Sequence, residues 1–260
     1  MRYLRLDEMK PRTLALLKEF KELCEEHGLK YFISAGTLLG AVKYKGYIPW
    51  DDDIDVTMLE EDYNKLIELA RQGKLKNPFH CHQLDSSYKL PFGKYAETTT
   101  LCTRKLKRTG KFGLHVDIFP LYGRGTTKEQ AQKLQKRSRF LARMNYWLCV
   151  PMWLKWIWLI PPLTPIFFMP KFFINRQFKI AKKHPIETST YVGSTNMKAH
   201  IQPKELFEET TMLPFEDDEF AAPKRYMEFL ANRYGKNFMD PYPEHLQTNH
   251  NYKILVLEED

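Results

Sequence analysis

The chain has 260 residues, 43% of them hydrophobic and 28% charged, a balance that supports a sizeable core and excludes a disordered or fibrous protein. Its formal charge of +8 is unevenly spread: residues 128–183 hold twelve Lys or Arg against one acid, Glu129, a net +11 that leaves −3 for the remainder. The basic character belongs to one segment, which suits an anionic membrane surface better than a nucleic acid, because its cations flank tryptophans and prolines.

In chain order, residues 8–27 predict an amphipathic helix, with Leu14, Leu17, Phe20 and Cys24 at three-to-four spacing and His27-Gly28 as the stop. "LKYFIS" reads as a strand and "AGTLLGAV" as a small-residue turn opening a new helix, a place where free backbone N–H groups meet phosphate. "YIPW" is extended because Pro49 biases Ile48 away from helix. "DIDVTM" reads as a strand, and residues 60–73 as a helix with acids in its first turn and Gly73 after its end. "FHCHQL", "LPFGKYAE" and "TTLCTRKL" predict further strands, and "GLHVDIFPL" a buried strand ending at Pro120. Helices follow at 127–147, about 171–183, and 221–234. Cys24, Cys81, Cys102 and Cys149 make no C-x-x-C pair, and His80 and His82 point opposite to Cys81 in a strand, so no zinc site is expected. Residues 1–8 lack a signal-peptide pattern, so reduced thiols in the cytoplasm are the expectation.

Residues 146–173 contain four of the five tryptophans, Trp147, Trp153, Trp156 and Trp158, and five prolines. Lys155 and the prolines break the run below the ~20 apolar residues that a membrane span needs. Tryptophan beside Lys and Arg suits the headgroup layer, so the segment reads as a membrane-surface or re-entrant element.

"WDDDIDV" is the chemically loaded stretch. Alternate residues of a strand share a face, so Asp53 and Asp55 converge, with Asp51 near them. Asp117, in "HVDIF", is an acid within an apolar strand and costly there unless paired or metal-bound. Three carboxylates of this kind are hard ligands for Mg²⁺ or Mn²⁺, which takes further ligands from substrate phosphate. The run "DDDIDVTMLEED" is not an EF-hand, since it has no glycine at its sixth position. Strand, glycine turn, helix, two acids and a third acid together form a layout for transferring a phosphorus group.

The block "LLKEFKELCEEHGLKYFISAGTLLGAVKYKGYIPWDDDIDVTM" closely resembles the signature of the LicD (fukutin-related) family. "FGKYAETTT" and "HVDIFPL" are similar to its middle motifs, and "YMEFLANRYGKNFMDPYPEHLQTNH" to its C-terminal motif, although Gln247 stands where a basic residue is expected. The resemblance implies an α+β fold: a nucleotidyltransferase-like mixed sheet core (residues 1–127, completed by 191–260), surrounding helices, and a helical, Trp-rich basic insertion at 128–190. It implies transfer of phosphocholine from CDP-choline to a hydroxyl of a lipid-linked glycan precursor, such as teichoic acid or lipooligosaccharide, at the inner face of the cell membrane. Asp53, Asp55 and Asp117 would be catalytic and hold the metal, with Asp117 a candidate general base. Gly36, Thr37 and Lys94 would meet the donor phosphates, and Asp51, His115 and His250 would support them. A choline ammonium needs aromatic faces, for which Trp50 is the first candidate, ahead of Tyr95, Phe119 and Tyr122. Competing readings are the same site with CDP-ribitol, CDP-glycerol or CDP-ethanolamine, a glycosyltransferase using a UDP-sugar, and a non-catalytic membrane adaptor.

Overall fold

A computed structural model describes residues 2–103, 111–148, 170–196, 200–243, 245, 247, 249 and 252–257. Helix α1 (Leu6–Glu26) begins where the Glu8 carboxylate accepts the Arg5 N–H at 2.9 Å. It buries Leu16, Leu17, Phe20, Leu23 and Cys24, one stripe at helical spacing, and stops before Gly28 at φ +62°. Strand β1 (Phe32–Ile33) leads into helix α2 (Ala35–Tyr44), strand β2 (Asp55–Leu59) and helix α3 (Glu60–Arg71). Then come β3 (Phe79–His80), β4 (Gly93–Ala96), β5 (Thr100–Cys102) and β6 (His115–Gly123). Helices α4 (Lys128–Leu148) and α5 (Pro170–Ala181) pack on each other. Strands β7 (Tyr191–Gly193), β8 (Ile201–Pro203), β9 (Thr210–Phe215) and β10 (Asp218–Pro223), helix α6 (Tyr226–Tyr234) and strand β11 (Ile254–Val256) complete the order.

The main sheet runs β1-β2-β6-β4-β3, with β7 paired to the far end of β6 and β8 to β7. Only β2 and β6 are parallel; the other pairs are antiparallel. With helices around a mixed sheet, the class is α+β. One hydrophobic cluster joins Phe20, Ile33, Val56 and Val116 to Val192, Phe220 and Leu230, so segments before and after α4 and α5 share a core.

Several elements differ from the sequence expectation. Residues 221–223 close the β9–β10 hairpin, and α6 starts only at Tyr226. The β3 strand stops at His80, after which Cys81, buried and free, leads a turn, so the alternation expected through "FHCHQL" holds for two residues. Strand β6 continues past Pro120 because that residue lies between two antiparallel partners: β4 ends opposite Ile118 and β7 begins opposite Tyr122. A missing N–H is harmless in that gap. Cys149, His250 and most of the Trp-rich segment lie outside the described residues. Among the described residues, no helix is long and apolar enough to cross a membrane.

Candidate active site

Three adjacent strands bring the site together. Asp55 opens β2 directly opposite Asp117 of β6, and Lys94 of β4 is opposite Asp117 on its other side. Residues in register share a face, so Lys94, Asp117 and Asp55 form a row across the sheet. Asp53 lies just before β2 rather than within it, yet oxygens of Asp53, Asp55 and Asp117 lie within 4.8 Å of one another. Asp117 and Lys94 form a buried ion pair. His115 sits behind them: its Nδ1 is 2.9 Å from the Gly113 carbonyl, which fixes the proton on Nδ1, and its Nε2 lies 3.6 Å from Asp117.

The start of α2 supports this row. The Thr37 hydroxyl accepts the Asp55 N–H at 2.8 Å, so Thr37, buried and outside the cleft, aims the β2 acid from below. Ala35 takes φ +49°, a left-handed conformation that costs a non-glycine residue energy and turns the chain sharply from β1 into α2. A Cβ on Gly36 would stand 2.6 Å from Asp51 Oδ2, so a larger residue here would make the Asp51 carboxylate shift. The loop is also held from outside, where Lys10 Nζ donates to the Ile48 and Pro49 carbonyls at 3.3 and 2.9 Å. Asp52 is buried and accepts the Tyr252 N–H at 3.2 Å, with an oxygen still within 4.8 Å of oxygens of Asp51 and Asp53. Asp52 thus ties the C-terminal segment down, while Asp51 and Asp53 face the cleft.

A cleft of about 830 Å³ opens over this row. Ser34, Gly36, Asp51, Asp53, Asp55 and Asp117 line its acidic end. Trp50 lines a wall beside it, stacked on Tyr242 at 6.1 Å and met edge-on by Tyr44 at 6.5 Å. Phe119 lies in the cleft against Phe92, with ring centroids 4.6 Å apart. Tyr95 and Tyr122 do not: Tyr95 packs on Phe20 and donates to Glu19, and Tyr122 is buried outside the cleft. That corrects their expected place near the acids. Lys94 is buried beneath the cleft's edge on Phe92 and Phe112, its charge spent on Asp117.

Burial, together with Asp53 and Asp117, pushes the Asp55 carboxyl well above the usual range, with Arg233 the opposing cation. Arg233 enters from α6, lines the cleft, and has a buried Nε with no hydrogen-bond partner among the described residues. Sequence reasoning missed Arg233 and Tyr242 as site residues. Both sit in the C-terminal motif, more than a hundred residues from the acids, and no local pattern marks them. The donor set is all carboxylate oxygen, which fits a hard divalent cation such as Mg²⁺ or Mn²⁺ and does not suit zinc.

Residues 28–153 match the family model described as "LicD/FKTN/FKRP, nucleotidyltransferase domain". Just under half of the chain is thus similar to the LicD family. The lipopolysaccharide cholinephosphotransferase LicD of Haemophilus influenzae is 28% identical over 270 residues, covering 99% of this chain and 100% of that protein. An uncharacterized protein of Rickettsia typhi is 46% identical over 59 residues, 22% of this chain and 19% of its own length. A second, from Rickettsia prowazekii, is 44% identical over 57 residues, 22% of this chain and 21% of its own length.

Proposed function

We propose that this protein transfers phosphocholine from CDP-choline to a hydroxyl of a cell-surface glycan precursor and releases CMP. The observation that carries the reading is the convergence of Asp53, Asp55 and Asp117 beside an aromatic wall, in a chain similar over its full length to a lipopolysaccharide cholinephosphotransferase. Asp53, Asp55 and Asp117 would hold Mg²⁺ or Mn²⁺. When bound, that ion supplies charge neutralisation for the diphosphate.

The protein's own groups do the rest. Backbone N–H groups at Ala35 and Gly36, at the start of α2, take the donor phosphates, and Arg233 offers a second cation to them. Trp50, with Tyr44 and Tyr242, gives the choline ammonium aromatic faces worth ~0.5–2 kcal/mol. The acceptor oxygen forms a bond to the phosphorus distal to cytidine, the bridging P–O bond breaks, and CMP leaves with the electron pair. The hydroxyl proton goes to Asp117, which Lys94 and His115 hold in place. Such transfer depends on positioning and charge more than on covalent help from the protein.

A second part of the reading concerns location. Lys133, Lys136, Arg137, Phe140 and Arg143 form one exposed stripe along α4, and Phe172, Arg176 and Lys179 another along α5, with Phe140 62% and Phe172 52% exposed. Two packed helices presenting cations and aromatic rings outward suit an anionic lipid surface, where a lipid-linked acceptor is concentrated. The protein then works on the cytoplasmic side, at the inner face of the membrane.

The test is CMP release with Mg²⁺ and a lipid-linked glycan extract, offered CDP-choline, CDP-ribitol, CDP-glycerol or UDP-glucose, beside an Asp53→Asn control. CMP from CDP-choline, a phosphocholine adduct on the glycan by mass spectrometry, and neither from the control are expected. Turnover of another CDP donor in place of CDP-choline refutes the choline assignment. Equal vesicle binding by both proteins with no turnover of any donor leaves only the adaptor.

A further inference from the structure

We propose that the part of the cleft beyond Asp117, between Phe119 and residues 194–196, is a carbohydrate subsite that takes the acceptor sugar. The inference rests on the transfer reading above for its direction and on the following geometry for its chemistry. Strand β6 loses β4 after Ile118 and gains β7 only at Tyr122. Over that gap the Thr195 hydroxyl donates to the Pro91 carbonyl at 3.1 Å. Arg124 Nη2 and Gln135 Nε2 both donate to the Ser194 carbonyl, at 2.9 and 3.1 Å, and Gln177 donates to the Thr195 carbonyl. Four buried donors therefore fix this short stretch of backbone, and with it the side chains of Ser194 and Asn196.

Ser194 and Asn196 line the cleft together with Asn145 and Tyr146 of α4, His200 and the Phe92–Phe119 pair, which supplies an apolar face. Asn145 Oδ1, Ser194 Oγ and Asn196 Oδ1 are each buried with no hydrogen-bond partner among the described residues. Asn145 and Ser194 are 3% and 5% exposed, and the Asn145 Nδ2 is already committed to the Lys89 carbonyl at 2.6 Å. A buried oxygen left unpaired costs ~1–3 kcal/mol, so the two amide oxygens in this lining favour a ligand that donates hydrogen bonds, and the Ser194 hydroxyl can accept or donate. Amide carbonyls accept only, and the ionised diphosphate of a CDP-alcohol, which has no P–OH, cannot satisfy them. Sugar hydroxyls can, and the C–H face of a pyranose fits an aromatic ring, the usual mix of apolar wall and few placed polar groups in a small-molecule site.

Direction follows from the sheet. Phe119 is two residues beyond Asp117 on the same face of β6. A sugar resting there presents its hydroxyl on the Asp117 side of the phosphorus, opposite the departing CMP, as in-line displacement requires. Cytidine carries donors of its own, but it must leave from the other side.

Saturation-transfer NMR on the full chain tests this, with methyl glycosides of glucose, galactose, N-acetylglucosamine and N-acetylgalactosamine as probes, with and without Mg²⁺ and CDP-choline. Wild type is expected to bind at least one glycoside. Asn196→Ala and Tyr146→Ala, both at partly exposed positions and checked for folding by thermal melts, are expected to weaken that Kd tenfold or more while the Kd of CDP-choline stays within twofold. Absence of glycoside binding by wild type overturns the subsite. A tenfold loss of CDP-choline affinity with glycoside binding unchanged gives this part of the cleft to cytidine, and overturns the subsite equally. Glycoside binding without any affinity for CDP-choline supports the subsite and sinks the phosphocholine reading instead.

Discussion

Asp55 and Lys94 show how single residues trade stability for chemistry. Asp55 is desolvated between Asp53 and Asp117, which raise its pKa. A raised acid binds its proton more tightly folded than unfolded, so folding stability is full below the ordinary carboxylate range, ~4, and falls as pH climbs through the raised value. Asp55→Asn removes that loss. The metal-free variant should melt a few degrees above wild type at pH 8, where ~1 kcal/mol is worth ~2–4 °C in a chain of this size. The advantage should vanish near pH 4, and differential scanning calorimetry across that range checks it. Lys94→Met is the opposite case. Its partner, 5% exposed, would be left as an uncompensated buried charge, at a cost of about 3–5 kcal/mol. The double variant Lys94→Met/Asp117→Asn should lose clearly less in urea unfolding, which separates the ion pair from plain packing. The sequence shows Asp53, Asp55 and Asp117 plainly because strand alternation and an acid in an apolar run are local signals. Thr37 is less legible: the resemblance implies a phosphate contact, and only the placement of α2 against β2 reveals that its hydroxyl holds the Asp55 N–H.

At the scale of elements, α4 has two unlike faces. Inward it presents Ala131, Leu134, Gln135, Ser138, Ala142 and Asn145; outward it presents the cationic stripe with Phe140. The inward face packs partly through amides, which explains how a helix so basic stays docked beside the cleft. Replacing Lys136, Arg137 and Arg143 with Ser should leave that face untouched. Near an anionic bilayer each cation is worth ~1 kcal/mol, so the triple variant should lose about 3 kcal/mol, roughly a hundredfold, in vesicle affinity. Sedimentation with phosphatidylserine vesicles measures it, and wild-type binding should weaken with added salt. An unchanged affinity would remove the membrane from the reading. The long helices were legible, since 21 residues of α1 or α4 carry several turns of periodicity. Two- and three-residue strands such as β1, β3 and β7 carry almost none. The β9–β10 hairpin was lost because "EFAAPKRYMEFL" has helix-forming composition, and only pairing of Ala221 and Ala222 with Met212 and Thr211 makes its start a strand.

At the scale of the whole molecule, the site is assembled from both ends of the chain, from Ser34 to Tyr252. The acids and the helix start come from the first 120 residues, but Arg233, Tyr234 and Tyr242 come from the last 30. Asp52 binds the Tyr252 backbone, and the Glu216 carboxylate in the β9–β10 turn accepts the Tyr47 N–H at 2.9 Å, clamping the acidic loop from the C-terminal side. This closure is what the sequence could not show: a motif 180 residues away completes the cleft, through contacts with no local period. It also has a thermodynamic consequence. Because one core joins these parts, a ligand that bridges the acids and Arg233 binds only the complete fold and stabilises all of it. At a hundred times its Kd such a ligand adds about 2.7 kcal/mol, which is ~5–10 °C in melting temperature. Mg²⁺ with CDP-choline should therefore raise a single cooperative transition by that amount in wild type. Arg233→Gln should keep the metal's share and lose most of the donor's. Asp53→Asn should lose both. A shift confined to one of two separate transitions would show instead that the C-terminal part folds and binds on its own.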